Sequence, residues 1–251
     1  GVNEMGLPKI TVPEYSLILP SSGKDIKYRP FLVKEEKILL IAMESEEEAQ
    51  IVTATKNVIK NCIFGDIDVD SLPIFDIEYI FLWLRGRAKG EKIELKYKCP
   101  ECKADVPINF NIEDVNVNKP EGHEKKIQLN DDLGVMMKYP DMALQSQIEG
   151  STDSSQIEQL FKTIRLCIDY IYDAETMYST KDHTEEEMTD FLESLTDPQF
   201  QKIAKFFETM PKLKHDVKLN CKNNTAEKGK KKTTCGYTED ITLEGLQSFF
   251  A

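Results

Sequence analysis

The chain has no long apolar run, and its N-terminus carries no recognisable export signal. No stretch of its 251 residues approaches the roughly 18 consecutive apolar residues that a membrane-spanning helix needs. The first residues lack the basic region followed by an apolar stretch that marks a secretory signal. We therefore expect a folded protein that stays in a reducing cytoplasm.

Catalytic motifs are missing as well. The sequence contains no Gly-x-x-x-x-Gly-Lys phosphate loop, no Gly-x-Ser-x-Gly elbow and no His-Glu-x-x-His motif. Its three histidines, His123, His183 and His215, lie in polar stretches without a second catalytic group at a recognisable spacing. We expect no enzymatic activity.

Positive charge is scarce overall. Lys and Arg number 32 against 44 Asp and Glu, which gives a net charge of −12 at pH 7. Because the phosphate backbone of nucleic acids attracts basic surfaces, this balance argues against general nucleic-acid binding. Residues 212–232 are the exception, with eight lysines against Asp216 and Glu227.

Four of the six cysteines form two distant pairs. Cys99 and Cys102 enclose Pro-Glu, whereas Cys221 and Cys235 are separated by a stretch rich in Lys, Asn, Thr and Gly. Each pair lies between predicted strands, and these strands cover residues 92–98, 106–111, 216–219 and 237–242.

This layout is that of a zinc ribbon, in which two hairpins offer two thiolates each to one tetrahedral Zn²⁺. We predict a structural zinc site formed by Cys99, Cys102, Cys221 and Cys235, with residues 222–234 inserted into the second pair as a polar finger. Four reduced cysteines, or two disulfides, are the alternatives.

The pattern as a whole predicts an α+β fold. It combines helices with short antiparallel strands, a zinc-ribbon-like element built on four cysteines, and an inserted helical subdomain. The predicted divisions are an N-terminal α/β region at 1–98, the first ribbon hairpin and further strands at 99–150, the helical subdomain at 151–210, and the second ribbon hairpin with an apolar tail at 211–251.

Helix 76–87 is predicted to be central, because it is apolar nearly all round and must be buried on most sides. We expect Asp76 to be its N-cap and Trp83 to be largely buried. Cys62 and Cys167 fall on apolar helical faces and are predicted core residues.

Two more helices are predicted from apolar periodicity. In helix 35–43, Ile38, Leu39, Ile41 and Ala42 should face inward, and the apolar residues from 157 to 171 predict one long amphipathic helix. Capping boxes are predicted at Ser45 with Glu48 and at Thr184 with Glu187.

Both ends of the chain have apolar patterns suited to a partner. Residues 9–19 alternate apolar and polar side chains between prolines, which predicts an extended arm. The C-terminal Leu243, Leu246, Phe249 and Phe250 recur at helical spacing. Such a stripe must be covered by the chain's own core or by another chain.

Further motifs stand at both ends of the chain and in its first half. They are residues 7–13, 19–24, 28–37 and 72–79, Leu84-Arg85 before the Cys-Pro-x-Cys motif, Cys235-Gly236, and the tail Leu243-x-Gly245-Leu246-x-x-Phe249-Phe250. In these segments the sequence resembles the baseplate hub assembly proteins of T-even-type bacteriophages with contractile tails. The resemblance covers both ends and the first half of the chain, whereas the helical middle is less distinctive.

The resemblance implies a non-enzymatic phage protein that builds the tail baseplate hub, either as an assembly chaperone or as a built-in subunit. Its partners would be other hub proteins. It would act in the host cytoplasm during assembly, and the tail baseplate of the virion is its second expected location. The alternative is a zinc-ribbon nucleic-acid-binding or transcription adaptor that uses the lysines of residues 212–232.

Overall fold

The structure is a computed structural model, and it describes residues 10–45, 47–149, 155–225, 233–245 and 248. Helices and antiparallel strands alternate along the chain, so the predicted α+β class is confirmed. The helices are α1 (Val33–Glu44), α2 (Glu48–Cys62), α3 (Ile74–Lys89), α4 (Met142–Glu149), α5 (Gln156–Cys167), α6 (Glu185–Glu193) and α7 (Asp197–Thr209). The strands are β1 (Tyr15–Ile18), β2 (Asp25–Tyr28), β3 (Ile63–Phe64), β4 (Lys92–Lys98), β5 (Asp105–Asn111), β6 (Asn116–Asn118), β7 (Lys126–Gln128), β8 (Gly134–Met137), β9 (Ile168–Tyr172), β10 (Met177–Ser179), β11 (Lys212–Asn220), β12 (Asn224–Thr225), β13 (Thr233–Thr234) and β14 (Thr238–Glu244).

The first core lies between the three-stranded sheet β1-β2-β3 and helices α2 and α3. Alternation places Leu17, Ile26 and Tyr28 on its inner side. The second half of the predicted N-terminal arm therefore belongs to the chain's own core, and Leu19 is buried there too. Residues 10–14 lead into β1 without regular structure.

A buried ion pair ties the sheet to α1. Arg29 donates to both carboxylate oxygens of Glu35 at 3.0 and 3.2 Å, and the Leu32 amide donates to the same carboxylate at 2.8 Å. Burial acts to raise the pKa of Glu35, but the hydrogen bonds from Arg29 and Leu32 outweigh it, and the pKa is lowered.

Helix α1 differs from its prediction. Ala42 and Glu35 are its buried residues and Leu39 is partly buried, whereas Ile38 and Ile41 are exposed. The predicted capping box at Ser45 is also wrong, because the Ser45 hydroxyl donates to the Ala42 carbonyl and so ends α1. Periodicity alone did not separate the two faces, because α1 carries apolar side chains on both.

Helix α3 is central, as predicted, and connects two cores. Ile77, Ile80 and Leu84 contribute to the first core, and Leu82 contributes to the second. Trp83 is only partly buried and packs against both cores.

The predicted N-cap of α3 is wrong, since the helix begins at Ile74 and Asp76 lies in its first turn. Asp76 is fully buried and accepts hydrogen bonds from the amide and the hydroxyl of Ser21. Burial raises the pKa of Asp76 despite these hydrogen bonds. The carboxylate thus attaches the β1–β2 turn to the start of α3.

The second core is formed by the β4–β5 hairpin, the sheet β14-β11-β6 and α3. Residues 112–114, a 3-10 turn after β5, come close to the helix at Gly86. A Cβ atom at Gly86 would overlap the end of the buried Ile112 side chain, so any larger residue here must displace that side chain.

The third core lies between the four-stranded sheet β10-β9-β8-β7 and helices α5, α6 and α7. The long helix predicted for residues 157–171 ends at Cys167, and Ile168–Tyr172 forms β9. This segment is β-branched and aromatic, and it has β8 on one side and β10 on the other as ladder partners. Segment 151–210 is therefore not purely helical. The predicted division of the chain into four regions stays a prediction.

The first and third cores meet at the start of α3. The Ile74 amide donates to the Pro140 carbonyl at 3.0 Å, and the rings of Phe75 and Tyr139 pack edge to face at 5.1 Å.

The capping box of Thr184 and Glu187 at α6 is confirmed.

The C-terminal apolar stripe is only partly described. Leu243 is buried in the second core, whereas Leu246, Phe249 and Phe250 lie outside the described residues. Within the part of the chain that the structure describes, no helix is long and apolar enough to cross a membrane.

Candidate metal centre

The first cysteine pair sits at the turn of the β4–β5 hairpin. The Lys103 amide donates to the Cys99 carbonyl, and the Cys99 amide donates to the Ala104 carbonyl, both at 2.9 Å. Lys103 has a positive φ of 60°. The turn is therefore tight and directs both cysteine side chains to the same side.

The second pair repeats this hydrogen-bond pattern between β11 and β14. The Gly236 amide donates to the Cys221 carbonyl at 3.0 Å, and the Cys221 amide donates to the Tyr237 carbonyl at 2.8 Å. Gly236, with φ 68°, occupies the place of Lys103. Both pairs thus lie on turns with the same backbone hydrogen bonds. Two residues separate Cys99 from Cys102, whereas thirteen separate Cys221 from Cys235.

A short hairpin brings the distant Cys221 and Cys235 together. Strands β12 and β13 pair antiparallel, with Asn224 opposite Thr234, and the Cys235 amide donates to the Asn223 carbonyl at 2.8 Å. The polar finger is therefore closed at its base, and its residues 226–232 lie outside the described part of the chain.

The four sulfur atoms form a compact group. They all lie within 4.8 Å of one another, with Sγ–Sγ distances of 3.5 Å for Cys102 and Cys221 and 3.8 Å for Cys99 and Cys235. Four sulfurs at about 2.3 Å from a tetrahedral zinc ion would be about 3.8 Å apart. A disulfide bond would need about 2.05 Å, so the arrangement matches a metal site and not two disulfides.

The thiols of the group affect one another's protonation. The Ala104 amide and, to a lesser extent, the Asn223 side chain lower the pKa of Cys102 to about 6. The Asn223 amide acts in the same direction on Cys221, but burial and the hydrogen bond shared with Cys102 raise the pKa of Cys221 to about 12. Cys102 therefore forms a thiolate more readily than Cys221 does.

The surroundings suit a structural role. Cys99 and Cys221 are fully buried in the second core, and Cys102 and Cys235 pack against it. Four cysteine ligands complete a tetrahedron and leave no position for a substrate or an activated water. Bound there, a metal would join the β4–β5 hairpin to the β11–β14 pair.

Sequence reasoning missed Asn223, whose side-chain amide lies 3.6 Å from the Cys102 sulfur. Hydrogen bonds of this kind stabilise a thiolate and orient it toward a metal. Asn223 lies two residues after Cys221 in a polar stretch, and nothing in the sequence distinguishes it from its polar neighbours. Gly236, directly after Cys235, takes the positive φ of the second turn.

The two remaining cysteines are core residues, as predicted. Cys62 and Cys167 are fully buried in the first and third cores. Burial raises the pKa of Cys62 to about 11 and that of Cys167 to about 12. Both therefore stay protonated thiols at neutral pH.

The three histidines have structural contacts. His123 bonds the hydroxyls of Thr209 and Tyr139 at 2.9 and 3.0 Å. His183 lies 3.5 Å from Glu187 at the start of α6, and the ring of His215 packs on another aromatic side chain in the second core. They lie apart from the four-cysteine group.

The chain matches the family described as T4 bacteriophage base plate protein over residues 12–251. It belongs to this family. The match spans both cysteine pairs and nearly the whole chain, so the resemblance of the sequence to T4-type baseplate proteins is confirmed. No curated protein and no solved structure matches the chain.

Membership in the base plate family gives the chain a structural or assembly role in the phage baseplate, among other baseplate proteins. The four-cysteine group is the candidate site within this base plate protein, since its sulfurs lie close enough to bind one metal ion.

Proposed function

We propose that this chain is a non-enzymatic protein of the baseplate hub, needed to build the hub of a contractile tail as an assembly chaperone or as a built-in subunit. The single observation that carries the proposal is the family match over residues 12–251. The hub assignment is supported by the resemblance of the segments at both ends of the chain. In this proposal the chain acts in the host cytoplasm during assembly and contacts other hub proteins.

We further propose that Cys99, Cys102, Cys221 and Cys235 bind one structural Zn²⁺. The support is the compact sulfur group, with every Sγ within 4.8 Å of the others, and the matching turns on which the two pairs lie. Thiolate ligands in a tetrahedral arrangement favour zinc over harder cations such as Mg²⁺ or Ca²⁺. The metal would keep the second core in the shape that the baseplate requires.

A phage that lacks the gene for this chain tests both proposals together. Complementation with the wild-type gene or with Cys62→Ala should restore hubs, as seen by electron microscopy of lysates, because Cys62 is a core thiol away from the sulfur group. Complementation with Cys221→Ser should not. Hubs that form without this chain would contradict the assembly role.

Mass spectrometry separates the two forms of the hub proposal. A built-in subunit should be present in purified virions at a fixed ratio to other baseplate proteins. A chaperone should be enriched in assembly intermediates and missing from the virion. Either result is compatible with hub assembly, and each assigns the chain to one role.

The rival function is nucleic-acid binding through the lysines of residues 212–232. Two of these lysines are already engaged, since Lys212 and Lys214 form ion pairs with Glu244 at 2.8 and 3.0 Å. Binding to DNA or RNA that weakens steeply with salt would support the rival. Salt-insensitive binding to hub proteins would support assembly.

Within the predicted N-terminal arm, we propose that the residues before β1 contact a partner protein. Ile10 is 90% exposed, whereas Leu17 and Leu19 are buried. A deletion of residues 1–12 removes Ile10 and none of the described residues of the first core, and we expect it to weaken hub assembly. The same deletion extended through residue 20 should unfold the chain, because it removes β1.

A further inference from the structure

The second cysteine turn is an interrupted copy of the first. Its backbone hydrogen bonds match those of the first turn, so Cys221 corresponds to Cys99. By the same hydrogen bonds, Cys235 corresponds to Cys102. The Asn223 carbonyl accepts from the Cys235 amide at 2.8 Å, although eleven residues lie between them in sequence. Asn223 therefore lies where a turn of the first kind would continue directly into its second cysteine.

The main chain of Asn223 belongs to the second turn. Its amide donates to the Cys221 sulfur, and its carbonyl accepts from Cys235. These contacts place the Cα atom of Asn223 beside the sulfur group. They involve only backbone atoms of Asn223, so a substitution at this position keeps them.

The side chain of Asn223 reaches across to the first turn. Its Nδ2 atom donates to the Cys102 sulfur at 3.6 Å, from 121 residues away in sequence. The Ala104 amide donates to the same sulfur from within the first turn. Asn223 thus contacts three of the four cysteines, and it joins the β4–β5 hairpin to the β11–β14 pair at the sulfur group.

An amide side chain suits this place chemically. A thiolate is stabilised by N–H donors, and a hydrogen bond to a charged acceptor is stronger than one between neutral groups. The side chain of Asn supplies such donors without any charge of its own. A carboxylate in the same place has no N–H to donate and would repel the four sulfurs, which lie within 4.8 Å of one another.

We propose that Asn223 is a positioning residue of the metal site. Its side chain holds the Cys102 thiolate while its main chain holds the second turn, so that both turns present their sulfurs to one ion. Outer contacts of this kind restrain a ligand and strengthen metal binding. The inference rests on the structural Zn²⁺ proposed above and does not depend on the hub role.

Zinc affinity of the purified full chain, measured by competition with a chromophoric chelator, tests the proposal. Asn223→Ala should weaken zinc binding by about tenfold, the lower end for an outer contact, because Asn223 is exposed. Asn223→Asp should weaken it by about thirtyfold, because it also adds a negative charge beside the thiolates. Asn and Asp are similar in shape and both favour turns, so a residue that only shaped the turn would tolerate this change.

Cobalt(II) in place of zinc gives a second readout. In Asn223→Ala, the thiolate-to-cobalt charge-transfer band should move to longer wavelength, because a sulfur that has lost an N–H donor gives up electron density more readily. The bands of tetrahedral cobalt should remain, since all four cysteines are still present. A loosened fold would instead weaken both sets of bands.

The matched control is Asn224→Ala, which removes the same side chain one residue later. The side-chain oxygen of Asn224 accepts from the Thr234 hydroxyl at 3.2 Å, at the base of the polar finger and not at a sulfur. This variant should bind zinc within about threefold of wild type and keep the wild-type charge-transfer band.

The outcomes separate this inference from the metal proposal. A wild-type chain that binds zinc together with an Asn223→Asp variant of equal affinity would overturn only the role of Asn223. An equal loss of affinity in Asn224→Ala would do the same, because it would assign the effect to the base of the finger. A wild-type chain that binds no zinc would overturn both proposals and leave the hub role standing.

Discussion

Loss of one cysteine from the second pair should cost the chain both its metal and much of its stability. Cys221 is fully buried, and its sulfur lies 3.5 Å from that of Cys102, which is 119 residues away in sequence. A cross-link that closes a loop of this length restricts the unfolded chain by about 4.7 kcal/mol in the chain-entropy treatment. Because a metal bond is reversible and the altered site keeps three thiolates, we expect Cys221→Ser to lower the free energy of unfolding by about 2–4 kcal/mol.

The assay combines metal analysis with urea unfolding. Wild-type protein purified under reducing conditions should contain about one zinc per chain, and a chelator should lower its unfolding midpoint toward that of Cys221→Ser. In Cys221→Ser itself, the zinc content should fall and the chelator should have little further effect. Acid should release the metal from the wild type, because protons compete for the thiolates.

Cys62→Ala is the matched control, since Cys62 is equally buried but lies in the first core. It should keep one zinc and lose only about 1 kcal/mol through the packing of its sulfur. The reasoning fails if chelation leaves the unfolding midpoint of the wild type unchanged. It also fails if Cys62→Ala loses as much zinc as Cys221→Ser.

The remaining predictions concern the first core and α3. Glu35→Gln should lower stability by about 1–3 kcal/mol at pH 7, because it weakens the buried pair with Arg29. Since the pKa of Glu35 is lowered in the folded state, its contribution is complete above the unfolded pKa of about 4.3 and disappears as the pH falls through the folded value. Urea unfolding from pH 7 to pH 3 should therefore show the two proteins converging, and a constant difference would contradict the assignment. Gly86→Ala should cost about 1–3 kcal/mol in the same assay, because its Cβ would overlap Ile112, and an unchanged midpoint would show that α3 can shift. Trp83 fluorescence should be blue-shifted and weakly quenched by acrylamide in the isolated chain, and quenching like that of free tryptophan would place the side chain in solvent.

Short-range features could be predicted because neighbouring residues decide them. The capping box at Thr184 and the strand pairing of the β4–β5 hairpin depend on residues close in sequence. The sequence of α3 also predicted that it lies at the centre of the fold, because a helix that is apolar nearly all round must be buried on most sides. The class of fold followed from these elements.

Other features depended on partners that periodicity does not reveal. The segment from Ile168 continues a helical pattern but forms β9, because β8 and β10 offer it hydrogen bonds on both sides. Asp76 looked like an N-cap but is buried against Ser21, which comes from the β1–β2 turn 55 residues earlier. In both cases a contact from outside the segment overrode a local preference.

The sequence by itself determined which residues could form the metal site and, through its resemblance to baseplate proteins, which family the chain belongs to. The tertiary structure decided whether the four cysteines meet, because Cys221 and Cys235 become neighbours only when β12 pairs with β13 and β11 pairs with β14. It also decided which side of α1 is exposed, since both sides carry apolar residues and only packing against the first core distinguishes them. Local preferences act over a few residues, whereas these outcomes depend on surfaces that come together only when the chain folds.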